Sequence, residues 1–408
     1  MTSNRRSFLA TSSGTSLLLG SGLVLTSKLP LLTASEANLE SKHVQFSDDS
    51  EPLVQLIEES PRDVVLSRVA EKIREGASYQ QVLTGLFLAA IRNVQPRPSV
   101  GFKFHCVLVV NSCHLASVAG PDEDRWLPIF WAIDYFKSSQ ADEKKRSGWK
   151  MPALANEREV PLGMTASKQF HAAMEQWDLE KADAATAGLV RSFGSNEVFE
   201  HFVRYAARDY RSIGHKAIYL ANGWRTLQVI GWQHAEPVLR SLTFALLNHN
   251  GEPNPAKNDL APDRSWREID EVVNTFPENW RFGKNDSGLT NGIIQTHRQE
   301  SPKAAFDFAL DGLQKGIGAQ SIWDATFVGA GELLMRQPGI IGLHGLTTAN
   351  AMHYLWQTTR DEELRRKLLL QATAFNPQFR ESAKGRGKLA DFNYSAVDSD
   401  HYSEAGEQ

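Results

Sequence analysis

Apolar residues along this chain recur every three to four positions, the spacing that lays one stripe along an α-helix. After Ser60-Pro61, which puts proline in a first helical turn, Val64, Val65, Val69 and Ile73 keep that spacing. Ser78-Tyr79-Gln80-Gln81 has the S-x-x-Q order of a capping box ahead of Val82, Leu83, Leu86, Phe87 and Ile91. Helical patterning continues through Trp126 to Phe136, from Thr165 through Phe170 and Met174, and from Asn196 through Phe199, Phe202 and Val203. It resumes in Lys216 to Ile230, Pro237 to Leu247, Trp266 to Phe276, Pro302 to Lys315, Ile322 to Met335 and Glu362 to Phe375, where Pro377 predicts a stop. Lys137 to Val160 and Asn248 to Asp263 are polar and read as loops. No segment alternates as a half-buried strand does. The pattern therefore predicts an all-α fold, a compact multi-helix bundle of about a dozen helices over residues 59–376, in two pseudo-symmetric halves, 60–210 and 211–376. Residues 38–58, polar and acidic, predict a tether, and 377–408 a disordered tail.

Two of the predicted helices carry the same polar interruption. The stretches from His105 through Asn111 to His114, and from His344 through Asn350 to His353, both read H-x5-N-x2-H in apolar surroundings. At about 100° per residue, Asn111 and His114 lie about 60° apart on one face, as do Asn350 and His353. The leading histidines fall about 180° round an unbroken helix from the trailing ones, so His105 and His114 do not both face one small site from mid-helix. Gly101, Gly342 and Gly345 stand nearby, and predict that each leading histidine sits at a frayed helix start and turns inward.

Charge is nearly balanced, formally −4 over 408 residues, with pI about 6.3. That leaves no basic footprint for nucleic acid. The only two cysteines, Cys106 and Cys113, would lie about 10.5 Å apart along a helix, beyond disulfide reach, and read as core thiols. At the start, Asn4-Arg5-Arg6-Ser7-Phe8-Leu9 precedes a weakly apolar run, Leu17 to Leu25. This resembles a twin-arginine export signal over residues 1–37, which implies passage through the twin-arginine translocase to the periplasm or cell envelope. No later segment is a candidate membrane span, because the longest apolar stretch is interrupted by Arg225, His234, Glu236 and Arg240.

Candidate chemistry rests on imidazole. His105, His114, His215, His234, His344 and His353 all sit in or beside apolar segments, and with Glu236 they are the candidate ligands of a transition metal or haem. No H-E-x-x-H, C-x-x-C or C-x-x-C-H motif accompanies them. A buried carboxamide needs partners for its carbonyl and its amide protons, so Asn111 and Asn350 are candidates to orient a histidine or bind a substrate carbonyl; helix-to-helix glue is the plainer role. Asp209 is the candidate carboxylate for a His215 ring N–H, or else one half of an ion pair with Arg208 or Arg211. Asp134, Asp324 and Glu332 are further acids, and Arg225 and Arg240, inside apolar helices, require acidic partners if buried.

At Gly214-His215-Lys216-Ala217-Ile218-Tyr219-Leu220, with Glu236 and the Leu343-His344 helix downstream, the chain resembles the questin oxidase-like family of helical proteins. The resemblance implies oxygen-dependent ring-opening of aromatic polyketides with a reduced nicotinamide donor, and points to His215 and His344. The family's closely spaced N-terminal histidines are missing. Two readings of function follow. One is an exported helical oxidoreductase with a His-lined buried site, metal- or haem-dependent, acting on a small apolar or aromatic substrate. The other is a non-catalytic helical scaffold or ligand-binding protein.

Overall fold

In the computed structural model, the described residues are 43–96, 104–249 and 251–396. They form sixteen α-helices and no β-strand, only two isolated bridges. The helices are α1 Glu51–Glu59, α2 Val65–Arg74, α3 Tyr79–Asn93, the broken helix α4 (His105–Leu108 and Val110–Ala119), α5 Leu127–Arg146, α6 Gly163–Gln176, α7 Leu179–Ser192 and α8 Ser195–Ala207. After them come α9 His215–Ile230, α10 Ala235–Leu247, α11 Ala261–Val272, α12 Ser287–Gln299, α13 Pro302–Gln314, α14 Ala319–Arg336, α15 Ile340–Thr358 and α16 Glu362–Lys384. The all-α expectation is met. The export segment expected at 1–37 lies outside the described residues.

Local chemistry sets the helix starts. Ser78 and Gln81 close the capping box foreseen for α3, and Asp178, Asp286, Ser301 and Asp361 accept backbone N–H bonds at the starts of α7, α12, α13 and α16. Three boundaries differ from expectation. The last eight residues of the predicted tether, Glu51 to Glu58, are helical: α1 buries Val54 and Ile57, and its Glu58 receives the Arg92 guanidinium and the Asn93 amide. The polar stretch after Phe136 continues α5 to Arg146, because Lys137 turns inward and donates to the Ile57 and Glu58 carbonyls. Pro377 does not stop α16, which buries Phe379 and Ala383 beyond it. The Thr373 carbonyl that proline leaves without a helical donor faces the buried His297 ring. The chain after α16 is held as far as Tyr394, with Ala390 N–H on the Arg336 carbonyl and Tyr394 N–H on Glu332.

Two helices escaped the hydrophobic pattern. Rich in alanine, α7 carries large apolar residues only near its ends, at Leu179, Leu189 and Val190, and α12 is diluted by polar residues. Both cysteines are buried free thiols, which burial raises to about 12 for Cys106 and about 11 for Cys113. No helix among the described residues is long and apolar enough to cross a membrane. Placement of the site depends on α9, largely buried along its length, which packs against α4, α8, α10 and α15.

Candidate metal centre

Three histidines meet where α4, α9 and α15 converge. His105 is the first residue of α4, His215 the first of α9, and His344 lies in the second turn of α15. The Nε2 atom of His215 is 2.9 Å from Nε2 of His105 and 2.9 Å from Nε2 of His344. One ring nitrogen from each of the three lies within 4.8 Å of the others, and His215 and His344 are buried.

The other ring nitrogen fixes the tautomer. His215 Nδ1 lies 2.5 Å from the Ser212 carbonyl oxygen, and His344 Nδ1 2.5 Å from the Ile340 carbonyl oxygen. A carbonyl only accepts, so in each ring Nδ1–H is the donor and Nε2 carries a lone pair. Burial, reinforced by mutual repulsion, depresses the basicity of His215 to about 3 and of His105 to about 4; burial also lowers His344. At neutral pH all three are neutral imidazoles, the form that binds a metal.

The turn before α9 aims His215. Ser212 and Ile213 hold positive φ values of 57° and 46°, followed by Gly214 at 81°. A branched residue in that region is a strained exception. Buried charge holds the turn from below. Asp209 accepts from the Arg211 backbone N–H and from Lys216 Nζ at 2.7 Å, while Arg211 reaches Asp263 and Glu252. Gly214 has no room for a side chain, since a Cβ there would meet Thr348 Oγ1 of α15 at 1.9 Å. That contact brings the start of α9 against the helix carrying His344.

The histidines open onto a cavity of about 510 Å³, a usual size for a small-molecule site. Its walls include Leu108, Val109, Ile218 and Leu343, and it also takes in Asn111, Asn222, Asn350 and Arg225. Among its lining residues, Leu115 and Trp131 are each 55% exposed and Leu343 46%, an apolar entrance. No aspartate or glutamate lines it among the described residues.

Of the residues singled out in the sequence, His105, His215, His344, Asn111, Asn350 and Arg225 share this cavity. The others lie elsewhere. His114 pairs through Nδ1 with the Tyr79 hydroxyl at 3.0 Å, and His353 is packed among Trp323, Phe327 and Trp356. Both trailing histidines point away for the reason the helical count gives. His234 lines a separate groove beside α1 and α3 and contacts the Gln233 amide. Glu236 is held by Arg191 in a two-pronged ion pair between α7 and α10. Asp209 serves the Lys216 and Arg211 network, while the His215 Nδ1 proton goes to the Ser212 carbonyl. Asp134 and Glu332 are likewise ion-paired, with Arg62 and Arg298. The frayed-start explanation fits His105 but not His344, which lies inside a regular helix whose Ile340 carbonyl orients it.

Asn222 was missed by sequence reasoning. It follows His215 by seven residues, two helical turns on the same face, a signal hidden because the His-Asn spacing in the other two helices is six. In comparisons with known proteins, no family model matches the chain, nor does any curated protein or solved structure.

Proposed function

We propose that His105, His215 and His344 hold one transition-metal ion, and that the protein is an exported oxidoreductase acting on a small, largely apolar substrate in the adjoining cavity. The observation that carries the proposal is the confrontation of His215 Nε2 and His344 Nε2 at 2.9 Å, with both Nδ1 protons committed to backbone carbonyls. Neither nitrogen has a proton to give the other, and two lone pairs at that distance repel. A proton shared between them would require an imidazolium, which the depressed basicity of His215 opposes at neutral pH. A metal ion answers the arrangement. Nitrogens 2.9 Å apart, each about 2.0–2.1 Å from an ion, subtend about 90°, an angle open to several transition metals.

A bare ion suits the site better than haem. The porphyrin fills four positions around its iron and leaves two axial sites on opposite faces, whereas these three imidazole nitrogens crowd one point. Three neutral nitrogens suit copper, iron, nickel or zinc. Among the described residues the lining offers no carboxylate to serve as the base of a metal-assisted hydrolysis, which favours the redox class. His215 and His344 are also the positions singled out by the resemblance to the questin oxidase-like family. The twin-arginine segment supports export after folding, a route suited to a protein that takes its ion before leaving the cytoplasm.

The test is elemental analysis and a redox-monitored spectrum of full-length protein recovered from the exported fraction. The expected result is close to one copper or iron per chain, lost in His215→Ala, with a reversible one-electron change. Zinc alone would remove the oxidoreductase assignment, and a metal-free protein would remove the centre.

A further inference from the structure

Two cations sit inside apolar helices, Arg240 buried and Arg225 half-buried, and the structure treats them differently. Arg240 finds Asp183, with Nε and Nη2 each 2.8 Å from a carboxylate oxygen. Arg225 has no carboxylate within ion-pair distance among the described residues. Its guanidinium lies over the Tyr354 ring at 4.1 Å, and its Nη1 reaches the Asn222 side-chain oxygen at a long 3.4 Å. Stacking on tyrosine orients the group without neutralising it. Burial lowers its basicity, yet arginine keeps its charge in proteins.

Arg225 also faces the cavity. His215, Ile218, Asn222 and Arg225 stand at i, i+3, i+7 and i+10 on one face of α9, and all four line it. The ends of this row are separated by about 15 Å along the helix axis. Asn222 donates to the Leu108 carbonyl at 3.0 Å, which leaves its oxygen toward the guanidinium. In the same cavity, Asn111 is only 4% exposed, and its carboxamide makes no hydrogen bond to another described residue. A buried amide of this kind asks for a partner inside the cavity.

We infer that the cavity binds a small organic carboxylate, its anionic head on Arg225, its body against Leu108, Ile218 and Leu343, a polar group within reach of Asn111, and its far end toward the three histidines. Carboxylate is favoured over phosphate because one planar guanidinium matches a monoanion in two-pronged fashion, and among the described residues no second lysine or arginine lines the space. The assignment of the far end as the reacting end rests on the metal reading; the carboxylate assignment rests on Arg225.

The experiment titrates full-length protein by calorimetry with benzoate, 3-phenylpropionate and octanoate, each beside its neutral amide, before and after chelation, with metal content measured on the same samples. At least one acid is expected to bind tenfold or more tightly than its amide. Arg225→Gln should abolish that preference while circular dichroism stays unchanged, and Arg225→Lys should keep part of it. Persistence of the preference after chelation, or in protein found without metal, upholds the carboxylate site even if the metal reading fails. The inference is overturned if every acid binds no better than its amide, or if the preference survives Arg225→Gln, whether or not the metal is present; loss of that surviving preference on chelation would place the carboxylate on the ion.

Discussion

At the residue scale, what separates the clustered histidines here from the isolated ones is where the second nitrogen goes. His215 and His344 give Nδ1–H to carbonyls and turn bare Nε2 atoms on each other, whereas His114 is satisfied by a tyrosine hydroxyl. Asp209 illustrates the opposite case. It stands two residues after the end of α8 and six before His215, and looks like a histidine's carboxylate, but it is fully committed to buried Lys216 and Arg211. Two substitutions separate these roles. His344→Ala is expected to cost at least 100-fold in metal affinity with a modest change in thermal stability, read by competition with a chromophoric chelator. Asp209→Asn strands the buried Lys216 charge and should cost about 3–5 kcal/mol in urea unfolding, while the folded fraction still binds one ion. Loss of metal without loss of stability in Asp209→Asn would return Asp209 to the site.

At the element scale, the three imidazoles meet because three helix segments deliver one each, and the delivery of His215 depends on Gly214. Alanine at that position would hold a left-handed backbone and drive a methyl group into Thr348. Gly214→Ala should destabilise by about 1–3 kcal/mol, and by separating α9 from α15 it should also weaken metal binding. Thr348 Oγ1 is buried and has no hydrogen-bond partner among the described residues, so Thr348→Ala alone should cost little and, combined with Gly214→Ala, should restore part of both properties. Strict additivity of the two changes, measured by unfolding and by metal competition, would show that the contact does not set the helix spacing. The repeated H-x5-N-x2-H pattern made the leading histidines and both asparagines legible, because it reports on residues whose neighbours are core. It did not reveal which histidine of each pair turns inward, since that depends on the partner helix: Tyr79 of α3 captures His114, and the tryptophans of α14 and α15 enclose His353. Nor could spacing foretell that Arg240 would meet Asp183 while Arg225 would not, because that pairing joins residues 57 positions apart.

At the scale of the whole molecule, helix content and most helix positions followed from periodicity, while the ends of the domain did not. Both α1 and the extension of α16 past Pro377 are stabilised by long-range partners, Arg92 for the first and the His297 region for the second. His297 makes the second of these testable. Complete burial beside Arg380, whose Nη1 donates to the His297 carbonyl at 2.9 Å, depresses the ring to about 3. In the unfolded chain the same ring takes a proton near pH 6.5. Between those values the unfolded state holds the extra proton, so the stability associated with neutral His297 is fully present above about pH 6.5 and is lost as pH falls toward 3. His171, lowered to about 4 by burial and by His201, adds a loss of the same sign. Urea unfolding of chelator-treated protein should therefore weaken steadily from pH 6.5 to 4. In His297→Gln, which removes the titrating group but keeps a polar side chain, the loss over that interval should shrink by on the order of 2 kcal/mol, even if the variant is less stable at pH 7. Parallel curves for the two proteins would mean that His297 does not link the end of α16 to proton uptake, and that acid acts on the fold elsewhere.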